Sequence, residues 1–388
     1  MGESNSMVTR PKLIRVTTIP LSLNLLLKNQ LKMLNQQFDV VALSSPGDEL
    51  ELVGMREGVR TIEVSMKREI SLAHDLISLY KLIKVFHKER PTIVHANTPK
   101  GSLLSMIAAF ICVVPIRIYT VTGLRYETEY GQKRNLLIWM ERLTCKFASH
   151  VIAESGGVKA MINKDKLCSK KVEIIGNGNL NGIDNDFWSP GKVDPISLSA
   201  LRQDYGISTI DFVYIFVGRL VTDKGVNELV RAFKFLDIKN SKLLLVGPLE
   251  SDLDPLDEDV LLEIQSNPNI LTTGYQSDVR SLLSISDVLV LPSYREGFPN
   301  VLLQAGAMGL PVISTDVNGS LDIIVDGKNG KIIEKRNVLA LREAMRFMHD
   351  NYENFDSKYC IEQAINRFSQ KNYYPLLVNF YKKLLGCI

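Results

Sequence analysis

The sequence predicts an α/β protein of two Rossmann-like parallel-sheet domains facing across a cleft, and three observations carry that expectation. Short aliphatic or β-branched runs alternate with longer stretches whose apolar residues fall three and four apart, the pattern of buried parallel strands and their covering helices. The alternation breaks once, at "GNGNLNGIDNDFWSPGKVDP" (residues 176–195), and then restarts. A chain of 388 residues also exceeds one ordinary core and suits two domains.

In the first half, "KLIRVTT" precedes "LSLNLLLKNQLKMLNQQ"; then come "DVVALS", "RTIEV", "LAHDLISLYKLIKVFHKE", "TIVHAN", "SLLSMIAAFICV", "RIYTVT", "RNLLIWMERLTCKFA", "HVIAES" and "KVEIIG". Residues 176–195, rich in Asn and Gly with two late prolines, read as a linker. Their G-x-G-x-x-x-G spacing is not a dinucleotide loop, because no helical pattern follows. The second half runs "DFVYIFVG", "GVNELVRAFKFL", "SKLLLVG", "DEDVLLEIQS", "NILTTG", "DVRSLLSIS", "DVLVLPS", "NVLLQAGAMG", "PVISTD" and "DIIVDGKNGKII", and from about Asn337 onward the periodicity is helical only. The expected division is 1–195, linker included, 196–370, and a C-terminal helix over 371–388 packing back on the first domain. Ligands of such sheets bind beyond the carboxyl ends of the strands, so the chemistry is expected in the loops that follow them.

Composition narrows the class. With 45% hydrophobic and 23% charged residues the chain is globular, not disordered. Cys112, Cys145, Cys168, Cys360 and Cys387 are scattered, without zinc or redox spacing. No run of 18 apolar residues occurs, and "SLLSMIAAFICVVPI" (102–116) is too short to span a membrane and reads as a buried helix. The N-terminus lacks the apolar core of a signal peptide, so the expected location is the cytoplasm. Gly2 and Ser6 fit a loose myristoylation pattern, although one acyl chain anchors weakly. Residues 1–195 carry 26 basic and 19 acidic side chains, net +7, within an overall +3. That excess either solvates a face or favours a pyrophosphate-bearing partner or the anionic inner face of the plasma membrane. Lys81, Lys84, Lys88 and Arg90 are the cations of one predicted helix that suit such a surface. No nucleic-acid partner is expected.

Two motifs carry chemistry. "IFVGRLVTDKGVNELVRAF" ends a strand at Gly218, sets Arg219 beyond it and opens a helix near Lys224. The two cations and the helix N-terminus suit a diphosphate. In "VLVLPSYREGFPNVLLQAGAMGLPVIST", Pro299 is expected in a helix's first turn, leaving the amides of Asn300 and Val301 as phosphate donors. Glu296 either favours the helix dipole or accepts hydrogen bonds from sugar hydroxyls, and Gln304 shares a helix face with Asn300. "ESDLDPLDED" holds Asp252 and Asp254 in a D-x-D spacing, but it precedes a helix and reads as solvated N-terminal acids, so no metal is expected. A dehydrogenase is disfavoured, since no G-x-G-x-x-G opens a helix after a strand.

Together "VGRLVTDKG", "GYQSDVRSLLSISDVLVLPSYREGFPNVLLQAGAMGLPVISTDVNGSLDIIVDGKNG" and the linker resemble the retaining glycosyltransferases of the GT-B fold, the family 4 group that includes capsule and lipid-linked oligosaccharide enzymes. The resemblance implies a retaining hexosyltransferase that needs no metal. Its donor is a UDP-sugar bound by the second domain, and its acceptor is a glycan or polyprenyl-diphosphate-linked saccharide bound by the first. By that likeness Arg219, Lys224 and the amides of Asn300 and Val301 hold the diphosphate, with Gly218 and the Gly297-Phe298-Pro299 turn around them. Glu296 contacts the transferred sugar, position 304 the ribose, and Tyr275 flanks the base.

The chain also departs from the family. Gln304 stands where relatives commonly have glutamate, and "TTIPLSLN" replaces a glycine-rich loop, leaving Thr17, Thr18 and Ser22 to serve with hydroxyls. Thr122 stands where a histidine is common. His95, Thr98, Lys100, Thr122 and Arg125 are expected on the acceptor side, with Lys100 and Arg125 at the acceptor's pyrophosphate. Alternatives are a sugar-nucleotide epimerase or phosphorylase of the same fold, or a catalytically silent sugar-nucleotide-binding subunit.

Overall fold

The computed structural model describes residues 10–67, 69, 71–250 and 254–387. Gly2, Ser6 and Asp252, singled out above, lie outside the described residues. The chain forms two compact units, one comprising the segment up to Asn181 together with Tyr373 onward, the other Gly182–Asn372. The segment read as a linker is therefore divided, with Gly182 onward belonging to the second unit.

The first unit runs β1 (Lys12–Val16), α1 (Pro20–Leu26), α2 (Gln30–Leu34), β2 (Asp39–Ser44), α3 (Asp48–Glu57), β3 (Arg60–Glu63), α4 (Leu72–Glu89), β4 (Ile93–Ala96), α5 (Pro99–Ile111), β5 (Ile116–Val121), α6 (Gly131–Phe147), β6 (His150–Ala153), α7 (Gly156–Lys164) and β7 (Val172–Glu173). Its seven strands are all parallel in the order 3-2-1-4-5-6-7, with Ile14 of β1 paired to Val41 on one side and Val94 on the other. The chain reverses its direction of winding between β1 and β4. The side chains of β1 alternate between two cores: Ile14 and Val16 join the α4–α7 side, Leu13 the side covered by α1–α3.

The stretch "LSLNLLLKNQLKMLNQQ", which reads as one amphipathic helix, is two short ones. Asn29 adopts a left-handed conformation (φ 69°) between them, where its amide donates to the Glu57 carboxylate at 3.0 Å.

The second unit runs α8 (Pro195–Asp204), β8 (Phe212–Val217), α9 (Val226–Lys234), β9 (Ser241–Val246), α10 (Glu258–Ser266), β10 (Ile270–Gly274), α11 (Arg280–Ser284), β11 (Val288–Leu291), α12 (Asn300–Ala307), β12 (Val312–Thr315), α13 (Ser320–Ile323), β13 (Gly330–Ile333), α14 (Val338–Asp350) and α15 (Ser357–Phe368). Its sheet is also all parallel, ordered 10-9-8-11-12-13, so winding reverses between β8 and β11. In open sheets of this kind that reversal opens the ligand crevice. The loops after β8 and β11 are those that hold Arg219, Lys224 and Glu296.

The last helix, α16 (Gln370–Leu385), sends Tyr373, Leu377, Tyr381 and Leu384 into the first unit's core beside Leu13. The chain's two passages between units are tied together within the second: the Ile183 amide donates to Phe368 O (2.7 Å) and the Gln370 amide to Ile183 O (2.8 Å).

Candidate functional site

In the second unit the two motifs meet. The segment after β8 forms a single 3-10 turn, Thr222–Lys224, closed by Gly225 at φ 70°. A β-carbon at Gly225 would lie 2.0 Å from the Pro292 carbonyl oxygen, so the turn is pressed against the chain leaving β11. That approach places Lys224 Nζ 2.5 Å from Glu296 Oε1, which also accepts the Ser293 hydroxyl at 2.7 Å. Thr315 Oγ1 donates to Ser293 O and fixes that residue from β12. Two further ties hold the loops: the Tyr294 amide donates to Asp223 O (2.9 Å), and Arg295 bonds the Asp223 carboxylate (3.1 Å). The Lys224 and Glu296 side chains are 22% and 13% exposed, so the pair is shielded yet still reachable from solvent. Arg219 is more open and pairs with Glu250 at 2.6 Å.

Gly218 lies under the neighbouring loop: at Gly247 (φ 142°) a β-carbon would meet the Gly218 carbonyl at 1.8 Å. Pro299 is the residue that precedes α12 and not part of its first turn, and no side chain caps the helix there. Val301 and Gln304 are partly exposed on α12, and the Gln304 side chain has no hydrogen bond among the described residues. Gly297 is in tight contact with the loop after β12, where a β-carbon at Gly319 (φ 75°) would fall 2.7 Å from Gly297 O. Phe298, expected at the donor, is instead a core anchor: it is buried and packs edge-on against Phe368 at 5.4 Å, leaving only its backbone to a ligand. Tyr275 projects from the loop after β10 and is largely exposed. The Asp254 carboxylate accepts the Asp223 amide at 2.7 Å, a loop-stabilising role.

The first unit brings some of its expected residues together and removes others. Thr18 and Thr98, from the loops after β1 and β4, share a hydroxyl–hydroxyl bond of 2.8 Å, and Thr18 Oγ1 also accepts the Gly101 amide at 2.9 Å. The Thr18 hydroxyl thereby caps the start of α5 and is buried, while Thr98 is half-buried. Thr122 Oγ1 donates to Asn97 O at 2.7 Å. Lys100 is buried and bound to both Asp75 oxygens (2.8 and 3.0 Å) and to Glu69 O, so its charge is neutralised by α4. Arg125 is exposed and has no ion pair among the described residues, which makes it the available cation of this group.

His95 does not reach solvent. Its Nδ1 is 2.6 Å from Tyr381 Oη and its Nε2 2.7 Å from Thr120 Oγ1. Burial, then the nearby Arg15 guanidinium, hold its pKa well below the ordinary value. It is a neutral core residue that ties α16 to the sheet, and the expectation of an acceptor contact is corrected.

Several participants escaped the sequence reading. Ser293 of the same loop, Thr315 of β12 and Glu250 of the loop after β9 support the expected cations and carboxylate, and Asp75 occupies Lys100. Gly225, Gly247 and Gly319 are the local signs of these forced approaches.

Two Rossmann-like units in one chain are the parts of the GT-B architecture. Anabaena HepE, solved in complex with UDP-glucose, superposes with a TM-score of 0.80 over 96% of this chain and 99% of that one, at 18% identity. Residues 199–367 match the family described as glycosyl transferases group 1, and residues 24–179 match glycosyltransferase family 4. A capsular polysaccharide biosynthesis glycosyltransferase, CapM of Staphylococcus aureus, is 38% identical over 337 residues, 86% of each chain. The chain therefore belongs to the group 1 glycosyltransferases. An Escherichia coli relative, a UDP-Gal:α-D-GlcNAc-diphosphoundecaprenol α-1,3-galactosyltransferase, is 29% identical over 86% of each chain.

Proposed function

We propose that this enzyme moves a hexose from a UDP-sugar to a glycan or polyprenyl-diphosphate-linked saccharide, with retention of anomeric configuration, in capsular or other surface polysaccharide synthesis. The observation that carries the reading is the Lys224–Glu296 pair at the winding reversal of the second sheet, with Arg219 on the same loop. The relatives named for capsule synthesis and for a diphosphoundecaprenol acceptor support the substrate class.

In chemical terms, the leaving diphosphate gains negative charge as the glycosidic bond breaks, and Lys224, Arg219 and the amino end of α12 stabilise it. Each cation holds a carboxylate partner in the free protein, so donor binding exchanges Glu250 for phosphate at Arg219. At Lys224 it shares the ammonium between phosphate and Glu296. Freed in part, Glu296 accepts hydroxyls of the transferred sugar. The acceptor hydroxyl then attacks from the face the diphosphate leaves, and a leaving phosphate oxygen takes its proton. Arg125 meets the acceptor's diphosphate. The positive charge comes from the protein, so the reading requires no metal and chelation by EDTA leaves turnover unchanged.

The test incubates UDP-sugars with a polyprenyl-diphosphate-linked saccharide and follows UDP release and the product's anomeric configuration by NMR. Transfer with retention is expected. Donor isomerisation, or UDP release without a new glycoside, would overturn the assignment.

A further inference from the structure

We propose that Cys145 and Cys168 form an oxidant-sensitive dithiol, a modification site whose disulfide pins the end of α6 to the segment entering β7. In the sequence the five cysteines look scattered, and these two are separated by all of β6 and α7. The fold overturns that reading for this pair. Arg142 of α6 donates to Asp165 O at 3.0 Å, and further along the helix Lys170 Nζ donates to Cys145 O at 2.8 Å and to Lys146 O at 3.0 Å. At the other side of the same segment the Tyr126 hydroxyl holds the Asp165 carboxylate at 2.7 Å. The chain from Asp165 to Lys170 therefore runs along the last turns of α6. It sets the Cys168 sulfur against Cys145, whose thiol donates a hydrogen bond to it.

The two thiols differ in access and in charge. Cys145 is buried in the core under the helices, whereas Cys168 is half-buried at its edge, so a small oxidant reaches Cys168 first. The bond from Cys145, joined by the amide and ammonium of Lys170, lowers the Cys168 pKa against the burial that opposes it. That same bond and burial raise the Cys145 pKa, and the neighbouring Glu141 carboxyl adds to the effect. The thiolate thus forms at Cys168 and the proton stays on Cys145, the asymmetry of an attacking and a resolving cysteine.

A hydroperoxide supplies the two-electron oxidation. The Cys168 thiolate attacks one peroxide oxygen, the O–O bond breaks, and the products are a sulfenic acid and a hydroxide that takes up the proton released earlier. The Cys145 sulfur then attacks the Cys168 sulfur. The S–S bond forms as the S–O bond breaks, and the proton of Cys145 leaves with the hydroxyl as water. Each sulfur is oxidised by one electron, and hydrogen peroxide is reduced to two waters. The bond closes a loop that contains β6 and α7, which restricts the unfolded chain. It also secures the edge of the sheet, where the two-residue β7 pairs with β6 alone. The site belongs to the first unit, so it does not rest on the roles given to Lys224 and Glu296.

The full chain is reduced, freed of reductant and treated with a slight excess of hydrogen peroxide; remaining thiols are alkylated and the protein is digested without reduction for mass spectrometry. The expected product is a Cys145–Cys168 cross-linked peptide, two hydrogens lighter than its parts, formed at least about tenfold faster than oxidation at the exposed Cys387. Dimedone labels Cys168 in Cys145→Ala, and Cys168→Ser gives neither the label at that position nor the cross-link. The oxidised wild-type chain melts at least about 3 °C higher than the reduced one, and dithiothreitol reverses the shift. The wild-type peptide map and melt decide the matter even where a variant folds poorly. Peroxide consumption without that cross-link, a disulfide through Cys387 in its place, or an unchanged Tm after complete cross-linking would overturn the proposal.

Discussion

Replacing Lys224 with glutamine tests whether its ammonium serves a ligand or only its carboxylate neighbour. In the free protein the ammonium lies 2.5 Å from Glu296 Oε1, and the Glu296 side chain is 13% exposed. Removing the cation leaves that carboxylate with the Ser293 hydroxyl and little water. The pair is neither fully buried nor superficial, so the stability loss falls between those limits, at about 1–2 kcal/mol. For a unit near 200 residues that lowers Tm by roughly 3–6 °C. If Lys224 meets the diphosphate, a charge-assisted hydrogen bond is also lost, and UDP binds roughly 10- to 100-fold more weakly by calorimetry. Loss of a positive group from the developing phosphate charge lowers kcat/KM on the order of 10²- to 10³-fold. The two readouts separate the roles. A lower Tm with UDP affinity and turnover held within about twofold would refute the phosphate assignment and leave Lys224 a structural partner of Glu296.

Three other outcomes follow from the same geometry. Gln304→Glu supplies a charged acceptor at the proposed ribose position and tightens UDP about fivefold by calorimetry; unchanged affinity removes Gln304 from the donor site. Gly225→Ala forces a β-carbon toward the Pro292 carbonyl at φ 70° and lowers stability by about 3 kcal/mol in urea denaturation, with turnover falling as Lys224 shifts. Glu141 is fully buried beneath the Tyr119 hydroxyl (2.7 Å), and burial raises its carboxyl from 4.5 to about 7. The folded chain therefore holds a proton that the unfolded chain releases, and stability falls as pH rises from about 4.5 through 7. Glu141→Gln accordingly raises stability by about 3 kcal/mol at pH near 8 and by almost nothing near pH 4, measured as Tm against pH.

The sheets were legible because most strands are short, predominantly apolar runs. "DFVYIFVG" and "DVLVLPS" announce β8 and β11 by composition, and glycine or proline marks where each stops. Arg219, Lys224 and Glu296 were legible for a related reason, since charged groups just beyond such runs sit at the strands' carboxyl ends. What supports them was not. Glu250 lies 31 residues from Arg219, and Tyr381 lies 286 residues from His95, separations across which no local spacing carries information. Local chemistry also misled where packing decided the outcome. Lys100 looked like a cation awaiting phosphate and is sealed by Asp75, and Phe298, inside a motif of ligand-binding type, serves the core through Phe368.

The α16 helix gives the first unit an unusual order of assembly. On the ribosome, the segment ending at Asn181 emerges complete in its strands, yet Tyr373 arrives only after the 191 residues of the second unit, 182 to 372, have been made. At synthesis rates of about 5–20 residues per second that interval is roughly 10–40 s. Through it the groove that receives Leu377 and Tyr381 lacks its cover over Arg15 and His95, both buried in the finished fold. The second unit folds as an uninterrupted piece of chain, whereas the first is closed by a helix translated after it.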